Sequence, residues 1–527
     1  MRVFKTIAAL HCYLNASRAH SSTMTVGLVP TMGGLHPGHL SLIKRARIET
    51  EQVIVSIFVN PLQFGPKEDF QQYPRPLEQD LEKCQQAGVD VVFAPSVEEL
   101  FAPGYSLNNS PSDTSDLKYQ TTVVSPDFLT SKLCGQSRPG HFQGVTTIVA
   151  KLLNIVQPNR AYFGQKDAQQ LTIIQRMVAE LNWPIEIIPC PIYREPSGLA
   201  YSSRNQYLTP EQKEKASILY QALSQGYERF SQGKITATAI KIAVLKTLET
   251  VPEVQLEYLE LVDPITLESL SQVEETGLLA IAAHLGQTRL IDNLILRNRQ
   301  PIIAIDGPAG AGKSTVTRNL AKQLELLYLD TGAMYRAVTW LVLQSGIEIE
   351  DEPAIAELVD QCQIELIPQD GQLQVKINGH EVTEAIRTPE VTADVSAISA
   401  QNTVRQALVQ QQRAYGRQGG LVAEGRDIGT NVFPDAELKI FLTASVEARA
   451  QRRLLEMQQK GQTEISLEQL QQDIALRDQK DSNRAIAPLR KAVDAIEIQT
   501  DNLTVAQVTE HIIQSYHKMC TSSNLAV

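Results

Sequence analysis

The sequence has few cysteines, no long hydrophobic run and no excess of positive charge. Its six cysteines among 527 residues are scattered singly, without the C-x-x-C pair of a zinc site or redox motif, so reduced and buried thiols are expected. No apolar stretch reaches the ~18 residues that span a membrane. The net charge of -11 argues against a general nucleic-acid binder, because binding to phosphates without base readout needs a basic surface. We therefore predict neither a membrane nor a nucleic-acid partner.

The start of the sequence carries no recognisable targeting signal. A short apolar run lies within Met1 to Leu14, but His11 and Cys12 interrupt it and no small-residue cleavage site follows. We therefore expect a cytoplasmic protein. Hydrophobic residues make up 43% and charged residues 20%, which is typical of a folded soluble protein.

The length and the pattern of apolar runs predict several α/β domains. Single cores stop growing at ~250 to 300 residues, so two or three domains are expected. Short β-branched runs such as TVGLVP, QVIVSIFVN, PIIAIDGP and ELKIFLTAS alternate with amphipathic segments, which is typical of βαβ units with buried parallel strands. From about Pro189 to Asn298, long helical segments are followed by short strands, as in a smaller α+β domain.

A polar stretch, Tyr105 to Tyr119, is predicted to be an exposed loop. The predicted domains are residues 1–188, 189–298 and 299–527, with a short junction at Arg297 to Pro301.

A phosphate-binding loop is predicted near the start of the last domain. Residues 307 to 314 read GPAGAGKS and fit G-x-x-x-x-G-K-[ST] between an apolar strand and the helix TVTRNLAKQL, the context that makes this pattern specific. Glycines let backbone N–H groups close around the β-phosphate, a lysine adds charge, a serine holds Mg²⁺ and the helix dipole contributes. The predicted ATP-binding residues are Gly307, Gly310, Gly312, Lys313, Ser314 and Thr315, with Mg²⁺ at Ser314.

Further motifs point to the acceptor of the phosphate. They read DTGAMYR (330–336), TADVS (392–396) with Arg405, EGRD (424–427) and R-x-x-x-D-x-x-R (477–484). Together they resemble the bacterial cytidylate kinases over nearly all of residues 300 to 518. The resemblance implies that ATP phosphorylates CMP, and also dCMP, in a phosphate-loop nucleoside-monophosphate kinase domain. It implies a CMP site formed by Thr331, Tyr335, Arg336, Ser396, Arg405, Asp427, Arg477, Asp481 and Arg484. Arginines suit this role because they grip a monophosphate bidentately.

Alternatives remain for the second half. Arg449, Arg452 and Arg453 follow the strand LKIFLTAS on a predicted lid helix, where they could neutralise the transferring phosphoryl group. Single arginines such as Arg452 and Arg453 are more often solvated surface residues. Other small-molecule or nucleoside-monophosphate kinases share the phosphate-loop fold. A nucleotide-sensing scaffold would keep the phosphate loop but lose the acceptor-site arginines, which are present here.

The first half carries an H-x-G-H motif, His36 to His39, between the strand TVGLVP and the helix HLSLIKRARIE. The spacing i, i+3 places both imidazoles on one side of a helix start. There, backbone N–H groups and imidazoles can stabilise charge on the phosphates of ATP as pyrophosphate leaves. On its own the motif is weak, and histidines with only a structural role are the alternative interpretation.

Four more motifs follow: FVNPLQFG (58–65), SRPGHF (137–142), FGQKDAQQ (163–170) and SSRN (202–205). In that order they resemble the pantothenate synthetases over residues 24 to about 297. The resemblance implies a Rossmann-like nucleotidylyl-transferase domain, a small α+β domain closing over it, and a homodimer through this half. It implies that pantoate attacks ATP to form pantoyl adenylate and pyrophosphate, and that β-alanine then displaces AMP, without an enzyme nucleophile. The implied ATP-binding residues are Met32, His36, His39, Gly164, Lys166, Asp167, Ser202, Ser203 and Arg204, and those for pantoate are Asn60, Gln63 and Gln170. The residues predicted to be catalytic are His36, His39, Lys166 and Arg204 here and Lys313 in the second half.

Two positions depart from this family's pattern. Cys134 precedes Gly135 where many members have Glu, and Tyr201 stands where many have Met. The first change removes a carboxylate. Another nucleotidylyl transferase, such as a cytidylyltransferase making a CDP-alcohol, is the alternative; Gln63, Gln170 and the R-P-G-H-F motif argue against it.

Overall fold

The computed structural model describes residues 1–21, 24–65, 68–101, 121–369, 372–459, 466–482 and 487–525. The chain divides into two compact units, Met1–Asn298 and Arg299–Val527. The predicted loop Tyr105–Tyr119 and the predicted CMP residue Arg484 lie outside the described residues. A further division after residue 188 stays a prediction. Within the described ranges, no helix is both long and apolar enough to cross a membrane.

A sheet of six parallel strands forms the centre of the first unit, in the order β1-β4-β3-β2-β5-β6. The strands are β1 (Arg2–Phe4), β2 (Val26–Thr31), β3 (Gln52–Ile57), β4 (Val91–Phe93), β5 (Arg160–Gly164) and β6 (Glu186–Cys190). The helices are α1 (Ile7–His20), α2 (Pro37–Glu49), α3 (Leu77–Gln86), α4 (Val97–Leu100), α5 (Asp127–Thr130), α6 (Cys134–Ser137), α7 (His141–Val156) and α8 (Ala168–Glu180). The central strands β2, β3 and β4 are buried almost throughout, so the predicted parallel strands are confirmed.

The order of the strands reverses between β2 and β5. From β2 the chain runs outward through β3 and β4, whereas β5 and β6 lie on the other side of β2. In open α/β sheets, ligands bind at the carboxyl ends of the strands beside such a reversal. The H-x-G-H segment follows β2 and the GQKD segment follows β5. The topology therefore brings two predicted ATP-binding segments to the same crevice.

The rest of the first unit consists of three helices and an antiparallel meander. These are α9 (Pro210–Ala216), α10 (Ile218–Ser231), α11 (Ala237–Leu248), β7 (Val254–Val262), β8 (Thr276–Leu285) and β9 (Thr288–Arg297). The prediction of short strands here was wrong, because each strand has nine or ten residues. The antiparallel strands β8 and β9 are joined directly by a short turn, so neither has to end early for a crossover helix. Val262 and Leu278 of this sheet share a hydrophobic cluster with Val145 of α7 and Ile174 of α8.

The second unit is built on a parallel sheet in the order β11-β15-β10-β16-β17. Its strands are β10 (Gln300–Asp306), β11 (Leu327–Asp330), β15 (Gly419–Gly425), β16 (Leu438–Thr443) and β17 (Ile496–Gln499), and a small antiparallel sheet contains β12 (Ile364–Gln369), β13 (Gln372–Ile377) and β14 (His380–Glu381). The helices are α12 (Lys313–Leu324), α13 (Thr331–Gln344), α14 (Glu352–Asp360), α15 (Pro389–Ile398), α16 (Asn402–Tyr415), α17 (Val446–Gln459), α18 (Leu467–Ser482) and α19 (Val505–Leu525). The central strand β10 leads directly into the GPAGAGKS loop.

We predict that residues 1–298 and 299–527 fold when they are produced separately. Each unit has its own sheet and its own hydrophobic clusters on the faces of that sheet, and each is long enough for an independent core. Thermal unfolding followed by circular dichroism should give a cooperative transition for each fragment. A fragment that binds a hydrophobic dye and unfolds without a transition would show that it depends on the other half.

Candidate active sites

The H-x-G-H segment forms a tight turn from β2 into α2. Gly33 and Gly34 have φ angles of 82° and 62°, a left-handed conformation that favours glycine. His36 is the N-cap residue of α2 and His39 occupies its third position. The two rings stack with 4.0 Å between centroids, and His39 Nδ1 accepts the backbone N–H of His36 at 3.5 Å. The prediction that both imidazoles lie on one side of the helix start is confirmed.

Both imidazoles are neutral at neutral pH. Burial, together with the nearby His39 and Lys166, lowers the pKa of His36 to about 2. Burial, followed by the charge of Lys166, lowers the pKa of His39 to about 4. Among the described residues no protein atom bonds to the buried Nδ1 of His36. The pair therefore offers uncharged hydrogen-bonding groups at a helix N-terminus, where the dipole favours an anion.

The side chain of Asp80, in α3, bonds to the backbone of this turn. Its carboxylate accepts the backbone N–H groups of Gly34 and Leu35, both at 2.8 Å, and its residue is 1% exposed. Lys83, one turn further along α3, donates to the carbonyl of Leu35 at 2.7 Å. No motif marked Asp80 in the sequence. Its carboxylate satisfies two backbone donors of a turn that belongs to no regular ladder.

Lys166 and Arg204 bring positive charge to the same crevice. The ammonium of Lys166, in the turn after β5, lies 3.5 Å from the carboxylate of Asp167. Burial by itself would raise the pKa of Asp167, but Lys166 and Arg204 hold it below its usual value. Arg204 makes two bonds to Asp69, at 2.9 and 2.7 Å. Asp69 is a second acidic partner that no sequence motif indicated.

Tyr201 and Ser203 connect the SSRN segment to the H-x-G-H turn. The ring of Tyr201 stacks on that of His36 with 6.1 Å between centroids. Ser203 donates its hydroxyl to the carbonyl of Gly34 at 3.4 Å, and Ser202 accepts the N–H of Arg204 at 3.3 Å. The Met-to-Tyr departure at position 201 thus places an aromatic ring against the histidine pair.

The predicted residues of the FVNPLQFG motif lie beside helix α7. Asn60 is 1% exposed, and its amide donates to Gln63 Oε1 and to the carbonyl of Gly144, both at 3.0 Å. His141 bonds through Nδ1 to the carbonyl of Gln63 at 2.7 Å, and burial lowers its pKa to about 3. Asn60 thus orients Gln63. Both N–H groups of the Asn60 amide already have partners within the protein.

One cavity gathers many of the predicted residues. Its lining includes Lys166, Asp167, Gln170, Ser202 and Arg204. Met32 instead lines a neighbouring cleft at the ends of β3 and β4, with Phe58, Val59 and Phe70. Gly164 is the last residue of β5. The structure therefore assembles side chains from three separate motifs, SRPGHF, FGQKDAQQ and SSRN, around one cavity.

Cys134 lines the same cavity and contacts Arg289. Its sulfur lies 3.1 Å from the hydroxyl of Tyr258 and 3.4 Å from Nη2 of Arg289. Glu257 binds Arg289 through both carboxylate oxygens, at 2.8 and 2.9 Å. The guanidinium beside Cys134 is therefore paired, because Glu257 supplies two carboxylate oxygens to it.

In the second unit, the GPAGAGKS loop joins β10 to α12. Gly307, Gly310 and Gly312 have φ angles of 149°, 78° and 86°. A Cβ at Gly307 would lie 2.2 Å from the carbonyl oxygen of Leu442, so only glycine fits there. Lys313 begins α12, and its ammonium donates to the carbonyls of Gly307 and Pro308 at 2.7 and 2.8 Å. Burial, then the nearby Arg426, moves the pKa of Lys313 well below its usual value.

Glu424 at the end of β15 connects this loop to β11. Ser314 donates its hydroxyl to Glu424 Oε2 at 2.9 Å, and Tyr328 donates to the other oxygen. Thr331 donates to the backbone carbonyl of Glu424 at 2.7 Å. Burial, then the charge of Asp330, raises the pKa of Glu424. A hydroxyl and a carboxylate are therefore adjacent at the start of α12.

Two arginines near the loop are paired with buried carboxylates. Arg405 donates to Asp427 at 2.5 Å, with residue exposures of 4% and 5%, and its guanidinium lies 5.4 Å from the ring centroid of Tyr335. Arg426 donates to Asp481 at 2.8 Å and to the carbonyl of Gly307 at 3.2 Å. The structure thereby brings the EGRD and RxxxDxxR motifs up to the GPAGAGKS loop.

The other predicted residues of this unit are more dispersed. Arg336 donates to Thr392 Oγ1 at 2.9 Å, whereas Thr315, Ser396 and Arg477 have exposed side chains. On the predicted lid helix, Arg449 is 3% exposed and binds Asp478 and the carbonyl of Ala309. Arg452 of the same helix binds Thr500, and Arg453 is exposed. Arg449 therefore reaches the loop through a direct bond.

Comparison with known proteins identifies relatives of both units. Family models match the chain in two places, pantoate-beta-alanine ligase over residues 2–295 and cytidylate kinase over residues 303–518. Bifunctional pantoate ligase/cytidylate kinases from Trichormus variabilis and Trichodesmium erythraeum are each 58% identical to the chain. The alignments cover 98% and 99% of this chain and 99% and 98% of those proteins. A solved pantothenate synthetase from Thermus thermophilus is 46% identical with a TM-score of 0.50, covering 56% of this chain and 99% of its own.

Replacing Asp80 by Asn should loosen the H-x-G-H turn. One of the two backbone donors would then face an amide N–H, and losing a buried acceptor costs about 1 to 3 kcal/mol of stability. Hydrogen exchange at Gly34 and Leu35 should quicken and the unfolding temperature of the first unit should fall. Glu78→Gln, the same loss of charge at an exposed position of α3, should change neither. Equal exchange rates in the two variants would show that Asp80 does not hold the turn.

Proposed function

The chain belongs to the bifunctional pantoate ligase/cytidylate kinase family, and we propose that each unit carries one complete active site. The first unit condenses pantoate with β-alanine at the expense of ATP, giving pantothenate, AMP and diphosphate. The second unit transfers a phosphate from ATP to CMP or dCMP. What supports this division is that the residues of each site belong to a single unit.

For the ligase, the stacked pair of neutral histidines at the N-terminus of α2 carries the proposal. The triphosphate of ATP binds at this helix start, where backbone N–H groups and imidazole N–H groups can donate to it. Lys166 and Arg204, which line one cavity, would balance the negative charge of the triphosphate. These donors are in place before the reaction, so they stabilise the charge that develops on the departing pyrophosphate without reorganising.

The chemistry of the ligase needs no nucleophile from the enzyme. The carboxylate of pantoate bonds to the α-phosphorus of ATP while the bond from that phosphorus to pyrophosphate breaks. The amine of β-alanine then attacks the carbonyl carbon of the adenylate, and AMP leaves. Gln63 and Gln170 orient pantoate with uncharged amides, which leave the negative charge of its carboxylate available for attack. Asn60 contributes by holding the amide of Gln63.

For the kinase, the cluster around the GPAGAGKS loop carries the proposal. The ammonium of Lys313 is already held against the loop, from where it can reach the β- and γ-phosphate oxygens. Arg405 and Arg426 are paired with buried carboxylates, and a bound phosphate can compete for these guanidinium groups. Asp427 and Thr331 lie close enough to this edge of the sheet to bind the nucleoside.

Mg²⁺ fits the start of α12. The hydroxyl of Ser314 and the carboxylate of Glu424 are adjacent hard oxygen donors, and Mg²⁺ in such sites is completed by substrate phosphates and water. When bound there it would neutralise charge on the β- and γ-phosphates. Ser314 and Glu424 would hold it, and Tyr328 would orient the Glu424 carboxylate.

Assays of the purified chain test the proposal directly. ATP with pantoate and β-alanine should give pantothenate, and ATP with CMP or dCMP should give the diphosphate more efficiently than ATP with UMP or AMP. Formation of a CDP-alcohol instead of pantothenate would favour the cytidylyltransferase alternative.

We also predict a homodimer through the first unit. Light scattering can measure the mass of the particle in solution.

Replacing His39 by Ala should slow adenylate formation more than it weakens pantoate binding. The variant loses one donor to the charge that develops in the transition state, which costs about 10²- to 10³-fold in rate. Release of pyrophosphate from ATP and pantoate measures this step. His20→Ala, at an exposed position of α1, serves as the control, and CMP phosphorylation by the same sample should be unchanged. An unchanged rate of pyrophosphate release would leave His39 with a structural role only.

Replacing Lys313 by Ala should abolish most CMP phosphorylation while pantothenate formation stays intact. One charge that binds the transferring phosphate is lost, which we expect to cost about 10²- to 10³-fold in kcat. Lys322→Ala, at an exposed position of the same helix, should retain both activities. Equal loss of both activities in the Lys313 variant would contradict the assignment of one site to each unit.

A further inference from the structure

Asn293 of β9 reaches across the first unit to the turn that carries Lys166. Its side-chain nitrogen donates to the backbone carbonyls of Gln165 and of Lys166, both at 2.9 Å. The residue is 5% exposed. Asn293 is therefore a buried amide that uses both of its N–H groups on two consecutive carbonyls of a three-residue turn.

Its neighbour Asp292 fixes the segment that precedes SSRN. Asp292 accepts two bonds from Arg194, at 2.6 and 2.9 Å, and also the backbone N–H of Asn293. Arg194 in turn donates to the carbonyl of Gly198 at 3.1 Å and stacks on Tyr220, with 3.9 Å to the ring centroid. This bonded turn leads directly into Tyr201 and the SSRN segment. Two consecutive residues of β9 thus anchor both segments.

We infer that Asn293 is a positioning residue for Lys166 in the ligase reaction, an inference that rests on the phosphate-binding role proposed above for Lys166. The turn is short and follows the last residue of β5, so its direction is not fixed by the strand ladder. The bonds to the carbonyls of Gln165 and Lys166 fix the two peptide groups on either side of the Lys166 Cα. The Cα of Lys166, and with it the reach of the ammonium, then has one defined location.

The location matters for one step of the reaction and not for the other. Lys166 is proposed to bind the phosphates of ATP, and pyrophosphate has left before β-alanine reacts. A displacement of about 1 Å can cost about 10²-fold in rate. Loss of Asn293 should therefore slow pyrophosphate release and spare the reaction of pantoyl adenylate with β-alanine. A general loss of packing in the first unit would slow both.

The experiment compares Asn293→Ala with Asn298→Ala in the full chain. Asn298 is a matched control, because its amide also donates to two consecutive carbonyls, those of Val273 and Glu274, but at an exposed site beyond the end of β9. Asn293→Asp is included because it keeps the volume of the side chain and removes the amide donor. Three rates are measured in each sample: pyrophosphate release from ATP and pantoate, pantothenate formation from supplied pantoyl adenylate and β-alanine, and CMP phosphorylation.

We expect both Asn293 variants to lower pyrophosphate release about 10- to 100-fold, with the other two rates within about twofold of the parent. We expect Asn298→Ala to leave all three rates within that range. In a Lys166→Ala background, Asn293→Ala should add little, because residues that act as a unit are not additive.

Three results would overturn the inference alone: equal pyrophosphate release in Asn293→Ala and Asn298→Ala, parallel loss of both half-reactions, or effects of Asn293→Ala and Lys166→Ala that multiply. If Lys166→Ala itself leaves pyrophosphate release unchanged, the proposed role of Lys166 falls, and the positioning inference falls with it.

Discussion

The loops at the carboxyl ends of the parallel strands depend on buried side chains that bond to their backbone. These loops lie beyond the strand ladders, so their N–H and C=O groups need partners from elsewhere in the chain. The carboxylate of Asp80 accepts two backbone N–H groups of the H-x-G-H turn. The carboxylate of Asp306 accepts the two backbone N–H groups that follow EGRD, both at 2.7 Å. Asn293 supplies two donors to the turn of Lys166. The proposed phosphate-binding groups therefore stand on backbone whose position is fixed before any ligand binds.

The charges of the two sites are balanced in a similar way. Arg204 is paired with Asp69 in the first unit, and Arg405 with Asp427 in the second. A buried cation without a partner is costly, so these pairs keep the guanidinium groups stable without substrate. A phosphate can take over part of the role of the carboxylate. The histidines of the first site follow another rule, because burial keeps them neutral and they add hydrogen bonds without adding charge.

The sequence was sufficient for the family, for both activities, for the strand that precedes each site and for the glycine loop of the second; the relatives confirm the first two. It was not sufficient for the residues that hold the turns. Asp80 lies 46 residues from Gly34, and Asn293 lies 127 residues from Lys166. Neither belongs to a local motif, because these contacts are set by the topology of the sheets. The long strands of the meander were also missed, since apolar runs indicate that a strand exists better than where it ends.

The bonds that hold each site also bear on the fusion of the two enzymes. Lys166 and Asn293 belong to the first unit, and the bond from Arg426 to Gly307 lies within the second. Pantoate, β-alanine and pantothenate are not substrates of a CMP kinase, and AMP differs from CMP in the base that such a kinase must recognise. Neither reaction therefore needs to pass an intermediate to the other. Because each turn is fixed by side chains of its own unit, we expect catalysis in one unit to require no particular state of the other, and the two proposed reactions have only ATP in common.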